Sequence, residues 1–269
     1  MPELPEVETT RRGIRGHVEG RRLTGWEVRQ PQLRWPVEVP AKLRNARLLR
    51  VRRRGKYLLL EFDNGALILH LGMSGSLRVV ETGCAPGKHD HVDLHLDSGF
   101  TLRLRDPRRF GSVHYQDDAA EQHWLLARLG VEPLEDDFNG AYLHRMSRKR
   151  KVAVKSFLMD GRVVVGVGNI YANEALFMAG IRPRIAAGRV TRARYDLLVR
   201  QVKAVLQAAI EEGGTTLRDF VGSDGRPGYF RTELKVYGRE KLPCLVCGAP
   251  LTGIRAGQRA TVYCRNCQY

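Results

Sequence analysis

The sequence predicts an α+β chain: a mainly antiparallel β domain led by one helix, a helical domain, and a small C-terminal module closed by metal. Three observations carry this. Residues from about 21 to 115 run in short apolar or alternating stretches broken by Gly and Asp. Residues from about 120 to 215 carry apolar side chains at helical spacing, and the last thirty-odd residues hold two CxxC pairs.

Taken in order, residues 5–18 fit one helix, with Pro5 suited to its first turn. Strand patterns follow at Tyr57–Phe62, Ala66–Leu71, Ser76–Val80, His91–Asp97 and Phe100–Leu104. Asp63-Asn64-Gly65 and Asp97-Ser98-Gly99 separate neighbouring runs as hairpin turns do. Such a set closes into a β-sandwich or flattened barrel. Helical spacing then appears at Trp124–Leu129, Gly140–Lys149, Asn169–Ala179 and Thr191–Glu211. In the last of these Leu197, Leu198, Val202, Val205, Leu206 and Ala209 share one face, and Gly213-Gly214 ends it. SDGRPGYF, residues 223–230, is a Gly/Pro-rich loop. The expected boundaries are 1–118 for the β domain, 119–225 for the helical domain and 235–269 for the cysteine module.

The chain of 269 residues is long enough for two domains, each with a core. Its net charge of +16 favours a polyanionic partner, and nucleic acid and an acidic membrane surface are the two candidates. The basic residues are spread along the chain, which argues for a folded binding surface over a basic arm. No stretch approaches the roughly 18–20 apolar residues of a spanning helix. MPELPEVE is acidic and Pro-led, so it does not read as a signal peptide.

Cys244-x-x-Cys247 and Cys264-x-x-Cys267 each place two thiolates on one knuckle, and two knuckles complete a tetrahedron for one zinc ion. Four protein ligands leave no open position, so the zinc is structural. Two disulfides are the alternative. Cys84 is left alone and reads as an ordinary thiol. HDHVDLH at 89–95 alternates His91, Asp93 and His95 with apolar residues, which fits a strand with one polar face better than a second metal centre. In GVGNIY the third glycine of a dinucleotide fingerprint is replaced by Tyr171, which excludes that reading.

Pro2 follows the initiator Met, and a small second residue permits its removal, exposing a secondary amine. An α-amine has a pKa of about 8, so much of it is neutral near pH 7. A neutral amine can attack a sugar C1′ and form a Schiff base, and a carboxylate beside it, Glu3, can protonate the ring oxygen. On residue types alone, most chains that begin Met-Pro use that proline for nothing.

The motifs together change the balance. MPELPEVET at 1–9, GKYLLLE at 55–61, HLGMSGSL at 70–77, KHDHVD at 88–93, DPRRFG at 106–111, GVGNIYANEALF at 166–177, SDGRPGYF at 223–230 and the terminal cysteine pairs resemble the bacterial formamidopyrimidine-DNA glycosylase family. The likeness is collinear from residue 2 to the last cysteine and is closest to the oxidised-purine branch. The sister branch, endonuclease VIII, begins MPEGPE and lacks the MSG and DPRRFG patterns.

The resemblance implies a fold of N-terminal β-sandwich with a leading helix, C-terminal helical domain with a helix–two-turn–helix, and zinc finger. It implies Pro2 as the Schiff-base nucleophile, Glu3 as the assisting acid, Glu6 as a supporting carboxylate and Lys56 as a proton donor for β-elimination. Arg259 matches the zinc-hairpin arginine assigned to phosphate binding and δ-elimination. Met73, Arg108 and Phe110 match the three side chains that fill the void left by a flipped base, with Arg108 facing the orphaned cytosine. Without the resemblance, Met73 and Phe110 read as core residues. His89, Lys149, Lys155 and Asn169 match DNA-contacting positions, and the loop at about 215–230, with Gly222, Gly225 and Gly228, matches a lid over the extruded base. The implied partner is damaged double-stranded DNA, with no membrane association, and the implied state is a cytoplasmic monomer.

Three rivals stand beside this reading: the same chemistry on oxidised pyrimidines, a non-catalytic damage sensor, and a zinc-ribbon RNA-binding protein. The Met73, Arg108 and Phe110 set argues against the first, and Pro2, Glu3 and Lys56 together against the second. The third predicts no preference for damaged DNA.

Overall fold

The computed structural model of the chain describes residues 2–213 and 234–269. The expected lid, with Gly222, Gly225 and Gly228, lies outside the described residues. The chain divides into two compact units, one running to Arg128 and the other taking Leu129–Glu211 with the C-terminal module.

The first unit opens with α1, Leu4–Val18, whose apolar side Leu4, Val7, Ile14 and Val18 is at most 1% exposed. Each such side chain contributes about 1.5–3 kcal/mol on burial. Eight strands follow: β1 Leu23–Val28, β2 Leu48–Arg54, β3 Tyr57–Phe62, β4 Gly65–His70, β5 Ser76–Glu81, β6 Asp90–Leu96, β7 Phe100–Arg105 and β8 Ser112–Gln116. They pair antiparallel into two four-stranded sheets, ordered β1-β6-β7-β5 and β2-β3-β4-β8. Leu58, Leu60, Leu67, Leu69 and Val113 from one sheet share a core with Leu77, Val92, Leu94, Leu102 and Leu104 from the other. This is the expected sandwich. Helix α1 packs on β2 and β5, the end strands of the two sheets, and so closes one side. The β3–β4 hairpin turns at Asp63-Asn64, with Gly65 at φ +141° where a Cβ would strike the Tyr115 ring.

The second unit contains α2 Gly140–Ser147, α3 Val154–Leu158, α4 Asn169–Met178 and α5 Arg192–Glu211. Asn139 caps α2 by accepting the Tyr142 N–H at 2.9 Å. Helix α4 is buried from Ile170 through Phe177 and packs against α3, α5 and the C-terminal hairpin. That hairpin, β9 Thr252–Ala256 and β10 Arg259–Tyr263, shares a small core with α4: Phe177, Val236, Leu251 and Val262. The cysteine module therefore belongs to the helical unit.

One helix expected from spacing does not form. Trp124–Leu129 is a series of turns after a short 3-10 segment, Ala120–Gln122. Ala127 makes an i to i−4 bond to His123, and Gly130 follows too soon for the turn to propagate.

Candidate functional site

The residue after Pro2 is the N-cap of α1. Glu3 and Glu6 form a reciprocal capping box: the Glu3 side chain accepts from the Glu6 backbone, and the Glu6 carboxylate accepts the Glu3 N–H at 2.7 Å. Pro5 sits in the first turn, where its missing N–H costs nothing. Glu3 is 2% and Glu6 0% exposed, and Pro2 is buried beside them. The expected nucleophile, acid and supporting carboxylate therefore lie within one helical turn.

Lys56 lies in the Gly55-Lys56 turn between β2 and β3, half-buried. That turn is tied to α1. Arg53 donates to Glu8 of α1 at 3.2 Å and to the Gly55 carbonyl at 3.1 Å. Burial opposes charge on Glu8, but hydrogen bonds from Arg11 and Arg12 and the nearby charges of Arg11 and Arg53 hold its carboxyl below the ordinary range. A buried network of this kind fixes the lysine turn relative to the helix that carries Pro2.

Two neighbouring loops present the next group. Met73 lies in the turn after β4 and is 37% exposed; Phe110, before β8, is 42% exposed. The Arg108 guanidinium stands 5.2 Å from the centre of the Phe110 ring. The core alternative for Met73 and Phe110 is thereby excluded. Gly72 has φ +65°, and a Cβ there would lie 2.5 Å from the Phe110 carbonyl carbon, so glycine is what lets the loops touch. Between them lies the buried carboxylate of Asp106. His89 is half-buried, with its carbonyl accepting the Asp106 N–H at 3.0 Å and its ring against His91.

The polar face of β6 turns inward. His91 donates to the Asp106 carbonyl, Asp93 is ion-paired with Arg103 and Arg29, and His95 bonds Thr101. Hydrogen bonds account for these residues, and among the described residues the only cluster with metal-ligand geometry is the cysteine one.

In the second unit Asn169 opens α4 behind Gly168, and its Nδ2 donates to the Ala260 carbonyl at 3.1 Å. Lys155, expected at a DNA-contacting position, is buried. It is 1% exposed, and its ammonium donates to Asn169 at 2.6 Å, Thr261 at 2.6 Å and the Ala260 carbonyl at 2.9 Å. An ammonium has three donors, and these partners take them. Lys149 is exposed with φ +62°, just past α2. Arg259 is exposed at the start of β10, after a two-residue turn whose Gly257 and Gln258 both have positive φ.

The four thiols of Cys244, Cys247, Cys264 and Cys267 lie within 4.8 Å of one another, with pairs at 3.4 and 3.9 Å. Zinc–sulfur bonds of about 2.3 Å in a tetrahedron give sulfur separations near these, so the set fits one zinc ion. Two residues of this unit escape the sequence reading. Glu174 is 6% exposed and accepts the N–H groups of Lys235, Val236 and Tyr237 at 2.8–3.0 Å. Asn173 accepts the Val262 N–H at 3.0 Å. Their only signal is two polar residues inside the apolar run IYANEALF.

Three family models match the chain: "Formamidopyrimidine-DNA glycosylase N-terminal domain" over residues 1–113, "Formamidopyrimidine-DNA glycosylase H2TH domain" over 129–221, and "Zinc finger found in FPG and IleRS" over 241–268. The formamidopyrimidine-DNA glycosylase of Methylococcus capsulatus is 58% identical over 270 residues, covering 100% of both chains. The crystal structure of the Fpg (MutM) protein of Thermus thermophilus superposes with a TM-score of 0.90 at 39% identity, covering 99% of this chain and 98% of that one. Lactococcus lactis Fpg, crystallised with DNA containing an N7-benzyl-Fapy-dG, matches with a TM-score of 0.89 at 32% identity over 99% of each chain.

Proposed function

The chain belongs to the formamidopyrimidine-DNA glycosylase family, a family of zinc-finger DNA repair glycosylases, and from that premise we propose that it excises oxidised purines and then nicks the strand. The substrates of this reading are 8-oxoguanine and formamidopyrimidines in duplex DNA. The Lactococcus relative's complex with a formamidopyrimidine lesion supports the substrate class.

The observation that carries the mechanism is the α1 N-terminus: Pro2 next to the locked Glu3–Glu6 pair, on a helix tied through Glu8 and Arg53 to the Lys56 turn. With the initiator Met removed, the partial positive charge of the helix end favours a neutral amine there. The Pro2 nitrogen attacks C1′ while Glu3 protonates the ring oxygen, and the bond to the purine breaks. The Schiff base makes the C2′ proton acidic. Its loss expels the 3′ phosphate by β-elimination, with Lys56 in the proton-transfer role. A second elimination expels the 5′ phosphate, with Arg259 on the phosphate, and leaves a one-nucleoside gap. Zinc, when bound by Cys244, Cys247, Cys264 and Cys267, supplies no chemistry and holds the Arg259 hairpin.

Met73, Arg108 and Phe110 occupy the void, and their exposure on paired loops supports that role. His89, Lys149, Asn169 and Arg259 contact the backbone, with Lys155 acting through Asn169. The protein acts as a monomer on DNA in the bacterial cytoplasm. Among the described residues no helix is long and apolar enough to cross a membrane.

The test is borohydride trapping on an 8-oxoguanine duplex, with correctly processed wild type and Pro2→Gly. A covalent adduct mapping to residue 2, lost in the variant, is expected; no adduct with processed enzyme contradicts the mechanism. Excision of 8-oxoguanine opposite cytosine in preference to thymine glycol separates this reading from the oxidised-pyrimidine one.

A further inference from the structure

Asp106 takes no part in the chemistry above, yet its side chain is completely buried, at 0% exposure. A buried carboxylate is costly unless its oxygens are satisfied. Here Oδ2 accepts the Gly111 N–H at 2.7 Å, and Oδ1 accepts from the Ser74 hydroxyl at 3.2 Å and the Arg108 N–H at 3.3 Å. Its backbone is fixed as well, by the His89 carbonyl at 3.0 Å and His91 Nε2 at 2.9 Å. The three side-chain partners bracket the three void-filling residues: Ser74 follows Met73, Arg108 is itself one, and Gly111 follows Phe110.

We propose that Asp106 is a positioning residue for reading the base opposite the lesion: its carboxylate locks the Met73 loop to the Arg108–Phe110 loop, so that the Arg108 guanidinium meets that base in one fixed geometry. This rests on the reading given under Proposed function. Hydrogen bonds weaken steeply with misalignment, and a site held within about 0.5 Å is what separates one base edge from another. A loosened pair of loops still enters the duplex and fills the void. Its guanidinium then reaches donors and acceptors of either base, so discrimination falls before chemistry does.

Asp106→Asn keeps the shape but sets an amide N–H against a backbone N–H in either orientation of the amide. Ser74→Ala removes one contact and leaves the Gly111 bond. The measurements are single-turnover release of 8-oxoguanine opposite cytosine and opposite adenine, and borohydride trapping on a preformed abasic site, which has no lesion to evict. In Asp106→Asn the cytosine-to-adenine rate ratio falls about tenfold, the size of one lost charge-assisted hydrogen bond. In Ser74→Ala it falls about threefold, as for a neutral bond. Abasic-site trapping stays within about twofold of wild type, which a generally damaged fold cannot do.

A ratio unchanged in both variants overturns the proposal, and so does a parallel fall of all three rates. If Asp106→Asn does not fold, Ser74→Ala decides by the same ratio. Wild type that neither releases the lesion nor traps on an abasic site brings down the functional reading, and this proposal with it. An unchanged ratio in active enzyme brings down this proposal alone.

Discussion

Lys155 donates to Oδ1 of Asn169 at 2.6 Å from a position only 1% exposed. The pair aims the Asn169 amide at the head of α4, and the same ammonium holds two groups of the Arg259 hairpin, Ala260 and Thr261. Lys155→Met takes the ammonium's hydrogen bonds from Asn169 Oδ1 and Thr261 Oγ1, while the Ala260 carbonyl keeps its bond from Asn169, and is expected to cost about 2–4 kcal/mol of stability, measured by urea unfolding. The dependence of DNA affinity on salt should keep its slope, because no phosphate contact is removed. Lys149→Ala should lower that slope by about 0.9. A Lys155→Met protein of wild-type stability with a shallower slope would make Lys155 a phosphate ligand after all.

Glu174 ties the chain at Lys235–Tyr237 to α4 through three backbone N–H groups. Glu174→Gln retains an acceptor at one oxygen and turns a donor towards the others. A loss of about 1.5–3 kcal/mol is expected. Because Val236 lies in the same small core as Cys244 and Cys264, zinc should also leave faster to a chelator. Wild-type kinetics of zinc release would show that this anchor and the metal site are independent.

What the sequence discloses and what it hides follow from the range of each interaction. The strands of β3 and β4 are legible because alternation and a two-residue turn are local, and the zinc site is legible because each ligand pair is three residues apart. Asp93 with Arg103 and Arg29 is hidden: a polar strand face reads as solvated, and only the fold supplies the cations that let it be buried. Lys155 is hidden for the same reason, since its partners Ala260 and Thr261 are about a hundred residues away. Trp124–Leu129 shows the converse failure, where helical spacing is present but too short to pay for nucleation. The catalytic candidates owe their roles to motif resemblance; the residue types alone offer a Pro2 amine beside the Glu3 carboxylate, and the Glu3–Glu6 capping box emerges only in the fold.

Zinc removal should act on the second unit. Its C-terminal core is small, and four thiolates brought together without a cation leave the hairpin unsupported. Metal analysis should give one zinc per chain. Chelation should melt the hairpin that carries Arg259 and lower DNA affinity by at least about tenfold, with a shallower salt slope as phosphate contacts are lost. A chelated protein that binds DNA with unchanged affinity and slope would remove the hairpin from the interface.

His70 links acid pH to the Met73 loop. Its Nδ1 accepts the Gly72 N–H at 2.9 Å, and burial, reinforced by the charges of Lys56 and Arg34, pushes its pKa from 6.5 down to about 4. The folded value lies below the unfolded one, so folding favours the neutral ring. The stabilisation is complete above pH 6.5 and is lost as pH falls from there through about 4. A gap of this size corresponds to about 3 kcal/mol. A protonated ring cannot accept, so Gly72 loses its partner at the root of the loop that presents Met73. His70→Gln, whose amide oxygen can accept the same N–H, should flatten the fall in urea midpoint across that pH window. A ring that titrates near its ordinary value by NMR would break the link between acid pH and this loop.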